Sequence, residues 1–170
     1  DEVPLHPMRG RLLHGLGWML GLRAEYAEAL AVADRAEALA STTNDPLLLC
    51  TACTVHGEVD QLQGRSQAAR TWLERGLALA ERLDVGPGEF LVDPQVALLG
   101  LLANPLVHLG LVERARGCVQ RAHARASDRG WPMAQLVALW HGAMLEVRLD
   151  DAGRVAALAD EMQVLVDEFA

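Results

Sequence analysis

Apolar side chains recur at helical spacing along most of this chain, and only short clusters of Asp, Gly and Pro interrupt them. The C-terminal stretch RVAALADEMQVLVDEFA carries Val155, Leu158, Met162, Leu165 and Phe169 on one stripe of a helix. A second kind of segment is VALLGLLANPLVHLGLV, residues 96–112, which has no charge at all. A membrane-spanning helix needs about 20 apolar residues. This run is bounded by Asp93 and Glu113 and broken by Asn104, Pro105 and His108. It therefore reads as a helix buried among other helices, apolar nearly all round. Pro105 withdraws a backbone hydrogen bond from Leu101 and predicts a kink.

The punctuation fixes the helix ends. Asp45-Pro46 and Asp93-Pro94 each place a capping carboxylate before a first-turn proline, Ser66 is expected to cap a further helix, and Gly130 with Pro132 separates two more. Eight helices are predicted, near 7–23, 26–42, 46–63, 66–84, 94–109, 112–129, 132–148 and 151–169.

These helices fall into a repeat. GWMLGLRAEYAEALAVADRA from Gly17 aligns with GEVDQLQGRSQAARTWLERG from Gly57 at an offset of 40, pairing Gly17 with Gly57, Ala29 with Ala69 and Ala36 with Gly76. ANPLVHLGLVERARGCVQRA continues the series through Ala103, Ala115 and Ala122 at an offset of 46, the extra length lying in DVGPGEFLVDP. A fourth unit takes Ala143, Val155 and Met162 as its register. Small residues at these positions let two antiparallel helix axes approach closely. One repeat domain spans residues 1–170, with units of about 7–42, 46–84, 94–129 and 132–169.

Composition sharpens this reading. Hydrophobic residues make up 51% of the chain and aromatics only 4%, the surplus being Ala and Leu, which favour helix over sheet. The class is all-α. The 15 basic residues are all Arg and face 23 acidic ones, and a net charge of −8 opposes direct nucleic-acid binding. The chain opens at Asp1 without a secretory leader pattern and is expected to be a fragment of a longer multidomain protein. Three cysteines in apolar surroundings fit a reducing cytoplasm better than a disulfide framework.

The spacing of small residues resembles the tetratricopeptide repeat, and EYAEAL, residues 25–30, is its most typical segment. The family's aromatic near the start of the first helix is replaced by Leu13, Cys53 and Leu99, and its terminal proline is missing at Ser41 and Ser127. The order of segments HGEVDQLQGRSQAARTWLERGLALAERL, VDPQVALLGLLANPLVHLGLVERA and RASDRGWPMAQLVALWHGAMLEVRLDD is similar to the repeat region of large bacterial signal-transduction regulators, the MalT-like and adenylate-cyclase-linked ATPases. The resemblance implies an α-α superhelix, a right-handed solenoid of about four helix pairs. It also implies a sensor or scaffold arm that controls an ATPase, cyclase or DNA-binding domain elsewhere in the protein.

Candidate chemistry is sparse. CTACTVH, residues 50–56, contains a C-x-x-C, but it lies inside a helix already begun at DPLLLC and lacks the further ligands of a zinc site. Ordinary buried cysteine is expected. The six histidines show no metal-binding spacing, and neither a phosphate loop nor a nucleophile elbow is present, so no enzyme activity, metal or cofactor is expected.

In tetratricopeptide repeats, first-helix positions line a concave groove. Carried onto this chain they are Arg11, His14 and Trp18, then Thr54, Glu58 and Gln61, then Asn104 and His108, then Trp140 and Met144. Such a mixed lining suits a peptide or protein partner, or a small ligand, although Trp18 and Trp140 could equally pack between repeats. The Lys/Asn/Arg clamp that holds a peptide carboxylate in chaperone-binding members is absent: the chain has no Lys, and Glu58 would repel the carboxylate. At the C-terminal end, Ala157, Val164 and Val166 add apolar surface outside the main stripe, so residues 155–169 are expected to meet further repeats or a second copy.

Overall fold

The structure is a computed structural model that describes residues 6–86 and 92–169. The middle of the long insertion, residues 87–91, lies outside the described residues. The eight helices are α1 (His6–Leu22), α2 (Tyr26–Thr43), α3 (Pro46–Leu62), α4 (Ser66–Ala80), α5 (Pro94–His108), α6 (Val112–Arg129), α7 (Pro132–Arg148) and α8 (Ala152–Phe169). Among the described residues there is no strand, and no helix is long and apolar enough to cross a membrane. The all-α helical repeat expected from the sequence is the architecture observed.

Two boundaries differ from expectation. Helix α4 stops at Ala80 rather than near residue 84, because Arg82 and Leu83 donate to Leu79 and Ala80 three residues back and tighten the last turn. Ser66 is the first residue of α4 and not its cap. The cap position belongs to Arg65, which makes no side-chain cap bond, because a guanidinium carries donors only and cannot accept from the first N–H groups of the helix; its own N–H donates to the Asp60 carbonyl at 2.8 Å. The other two caps form as read. Asp45 Oδ1 accepts from Leu47 N at 2.9 Å, and Asp93 Oδ1 accepts from Gln95 N at 2.8 Å, each ahead of a proline in the first turn. Helix α5 runs unbroken through Pro105.

The repeat register is written most clearly in the turns within each pair. Ala24, Gly64, Gly110 and Asp150, at spacings of 40, 46 and 40, all take positive φ, between 58° and 75°. In each turn the next residue donates its N–H five residues back, Glu25 to Leu20, Arg65 to Asp60, Leu111 to Leu106 and Asp151 to Glu146. This bond closes a helix end over a left-handed residue and absorbs carbonyls that would otherwise be orphaned. Turns this short force antiparallel neighbours.

The chain divides into two compact units, Asp1–Leu91 and Val92–Ala170. In the first, α3 packs on α1, α2 and α4; in the second, α7 packs on α5, α6 and α8. The second-helix alanines Ala29, Ala69 and Ala115 are fully enclosed, as close helix crossings require. Gly17 is used differently from expectation: a Cβ there would meet Val55 of α3 at 2.7 Å, so its tightest approach is to the next pair's first helix. Ala29, Ala33, Val55 and Val59 form one core cluster of this unit, with Leu20, Tyr26 and Leu30 against it. In the second unit Asp93, fully buried, joins the start of α5 to the far half of α6 through Arg125, whose Nε lies 3.0 Å from both carboxylate oxygens.

Candidate functional site

Within the first unit the first-helix face is built by α1 and α3. His14 and Glu58 come together, Nε2 to Oε2 at 3.7 Å, too long for a hydrogen bond but close enough for an ion pair once the imidazole is protonated. Both atoms are enclosed and without a hydrogen-bond partner, and so is Oε1 of Gln61, one turn beyond Glu58 on α3. Burial pulls the His14 pKa down, but the nearby carboxylate of Glu58 raises it by more, so the imidazole titrates above its ordinary value of 6.5. Trp18, one turn from His14 on α1, is about half exposed at 48%. Thr54 turns inward, its hydroxyl donating to the Cys50 carbonyl at 2.9 Å, and Arg11 lies exposed on α1. Thus His14 and Glu58 meet with Gln61 close by on the same helix, whereas Thr54 offers its hydroxyl to its own backbone.

In the second unit the corresponding positions are more dispersed. Asn104 is buried on α5 and His108 is exposed at that helix's end. Trp140 is half exposed and sets its ring edge-on to His141 with centroids 4.6 Å apart, while Met144 is partly covered one turn on. His141 points inward, against Gly100, where a Cβ would fall 2.2 Å from the imidazole. Burial, with help from the charge of Arg148, lowers its pKa to about 4, so it is a neutral core residue at pH 7.

The second-helix side of this unit holds a feature that the sequence reading missed. A cavity of about 460 Å³ opens between α6 and α8 with α7 as its floor. Arg116, Gln120 and His123 of α6 line one wall, Arg154, Leu158 and Glu161 of α8 the other, and Gly142, Leu145 and Glu146 of α7 the base. Glu146 is 9% exposed, and its Oε2 is enclosed with no hydrogen-bond partner. Burial holds the His123 pKa below its ordinary value, with Glu161 raising it and Arg154 lowering it, so this imidazole is neutral at pH 7. First-helix positions alone could not have revealed this cavity. The available signal was a position-by-position comparison of one repeat with another, which shows where a large side chain has been lost.

The three cysteines are buried and none is in a disulfide. Burial pushes the Cys50 thiol up to about 12 and the Cys53 thiol to about 11, and Cys50 Sγ lies 3.7 Å from the Gly76 carbonyl. These are packed thiols rather than nucleophiles. Among the described residues, no three His, Cys, Asp or Glu side chains are grouped to hold a metal. The chain matches no protein-family model, and no curated protein is significantly similar to it.

Proposed function

We propose that the chain is a non-enzymatic interaction module of the tetratricopeptide kind, a sensor arm of a bacterial signalling or transcriptional regulator acting in the cytoplasm. Its partner is a peptide or protein segment, or a small ligand, taken on the first-helix face of α1 and α3. The observation that carries this reading is the group of enclosed polar atoms on His14, Glu58 and Gln61 that make no hydrogen bond, beside the half-exposed Trp18. Buried polar atoms without partners cost about 1–3 kcal/mol each, and a partner that donates to Glu58 and Gln61 while stacking on Trp18 would recover that cost. The glutamate selects for a basic segment. Three buried cysteines outside any disulfide support a reducing compartment.

The test is a fluorescence-polarisation screen of basic peptides against the wild type, with Glu58→Gln and Trp18→Ala alongside. Binding that weakens about tenfold or more in both variants, at an unchanged melting temperature, upholds the reading. Binding indifferent to both variants sinks it. A second reading, a scaffold that self-associates through its C-terminal helix, is favoured by one observation: Val164, Val166 and Phe169 of α8 are all at least 46% exposed.

A further inference from the structure

We propose that the cavity between α6, α7 and α8 is a binding site for a basic amino acid, its two cations set against Glu146 and Glu161 and its carboxylate against Arg154. This site is separate from the α1–α3 face and stands or falls independently of it.

The first argument comes from comparing the two units at equivalent positions. The turn residues Gly64 and Asp150 lie 86 residues apart, and the same shift maps the α2–α3–α4 cleft of the first unit onto this cavity. In the first unit the cleft is full. His56 stacks on Trp72 with ring centroids 4.2 Å apart, Arg75 lies 5.2 Å above the Trp72 ring, and Arg75 also bridges to Glu37 at 2.9 Å. The counterparts of His56, Trp72, Arg75 and Glu37 are Gly142, Leu158, Glu161 and His123. A stacked pair of rings has become a glycine and a leucine, and the volume they filled is now open. A Cβ on Gly142 would meet Nε2 of His123 at 3.2 Å and Leu158 at 3.5 Å, so even a methyl group would intrude on the cavity lining.

The second argument concerns charge. In the first unit the buried Asp60 is neutralised by Arg65, whose Nε donates to Oδ1 at 2.8 Å. The counterpart of Asp60 is Glu146, and the counterpart of Arg65 is Asp151. The acid has been kept and its partner replaced by a second acid, so that Glu146 Oε2 is buried without a partner. A buried carboxylate in that state is costly and invites a cation from outside.

The remaining charges define the ligand. Arg116 pairs with Glu113 at 3.2 Å, Asp151 accepts the Arg154 backbone N–H at 2.9 Å to cap α8, and His123 is neutral. Glu146, Asp151, Glu161 and the guanidinium of Arg154 are left without an ion pair among the described residues. Three carboxylates and one guanidinium in a cavity of about 460 Å³ leave an excess of negative charge that complements two cations and one anion on a small molecule. An ammonium, a basic side chain and a carboxylate on one carbon skeleton satisfy that count, and the volume falls in the range of about 300–1,000 Å³ usual for small-molecule sites.

The experiment is isothermal titration calorimetry of the whole chain with L-lysine and L-arginine. Putrescine, which lacks the carboxylate, and L-norleucine, which lacks the second cation, are the comparators. Saturable binding of at least one basic amino acid is expected, with both comparators weaker by about tenfold or more. Glu161→Gln and Arg154→Ala change exposed side chains, leave the fold intact and should weaken binding about tenfold each. The double variant Gly142→His with Leu158→Trp restores the ring pair of the first unit and should abolish binding. Should that variant fail to fold, the two exposed single variants decide the matter. Absence of saturable heat with either amino acid overturns the proposal. So does putrescine binding as tightly as lysine, norleucine binding as tightly as lysine, or affinity unchanged in Glu161→Gln and Arg154→Ala.

Discussion

The four intra-pair turns make the same demand of one residue each, and the sequence meets it unequally. Gly64 and Gly110 take the left-handed conformation without a side-chain penalty, whereas Ala24, with φ 61°, must hold a Cβ against the following carbonyl. Ala24→Gly is therefore expected to stabilise the chain by about 1 kcal/mol, and Gly64→Ala to destabilise it by a similar amount. Urea midpoints check both signs, and equal shifts in the same direction would show that the turns are not equivalent. Of the perturbed histidines, His14 and His141 predict opposite pH dependence. His141 titrates near 4 when folded and near 6.5 when unfolded, so its contribution is complete above 6.5 and is lost as pH falls toward 4. The whole loss is about 3 kcal/mol. His14 is raised instead, so its contribution is present at pH below 6.5 and disappears as pH rises through its folded value. NMR titration of the two imidazoles with denaturation curves at several pH values tests the pair, and a His141 resonance titrating near 6.5 would refute the buried assignment. Of these residues the sequence marked His14 as a groove position but gave no sign that His141, its neighbour Trp140 exposed, would face the core.

At the scale of elements, most boundaries were legible because proline, glycine and aspartate act through local chemistry. Asp45 and Asp93 cap their helices whatever the tertiary context, and the observed helices span 15 to 18 residues with the predicted starts nearly unchanged. The end of α4 was not legible, since Glu81, Arg82 and Leu83 are all helix formers and only the tightened turn stops them. Helix pairing was legible through the small residues. Ala29, Ala69 and Ala115 are completely enclosed, so Leu at any of them overpacks a crossing and should cost about 1–3 kcal/mol. Arg75 is exposed yet lies over Trp72 and bridges to Glu37, which makes it a poor neutral control; Gln67 and Ala68, exposed on the same helix, serve better. Calorimetric melting of Ala29→Leu, Ala69→Leu and Ala68→Leu would undo the assigned register if the three variants melted together. The cavity between α6 and α8 was hidden from such reasoning because it is made by an absent ring pair, and periodicity registers only residues that are present.

For the whole molecule, the question is what covers the apolar faces left open on α8 and α1. Helix α8 buries Leu158 and Leu165 and packs Met162 against Leu139 of α7, which is the stripe expected from spacing. Its other faces are left open. Val164 is 67% exposed and Phe169 58%, and Val166 and Ala157 are exposed as well. In the first unit, α1 leaves Leu12, Leu16, Met19 and Leu22 exposed. Contiguous apolar surface in water drives association. A chain with a net charge of −8 resists non-specific clustering, so association through these faces should be saturable rather than open-ended. Light scattering across a concentration series is expected to show a rise in mass that levels off. The double variant Val164→Glu with Val166→Glu should return the mass to that of a single chain without lowering the melting temperature, because both side chains already lie in water. A wild type that stays at the single-chain mass at every concentration would remove the self-association reading, and an unchanged rise in the double variant would move the interface away from α8.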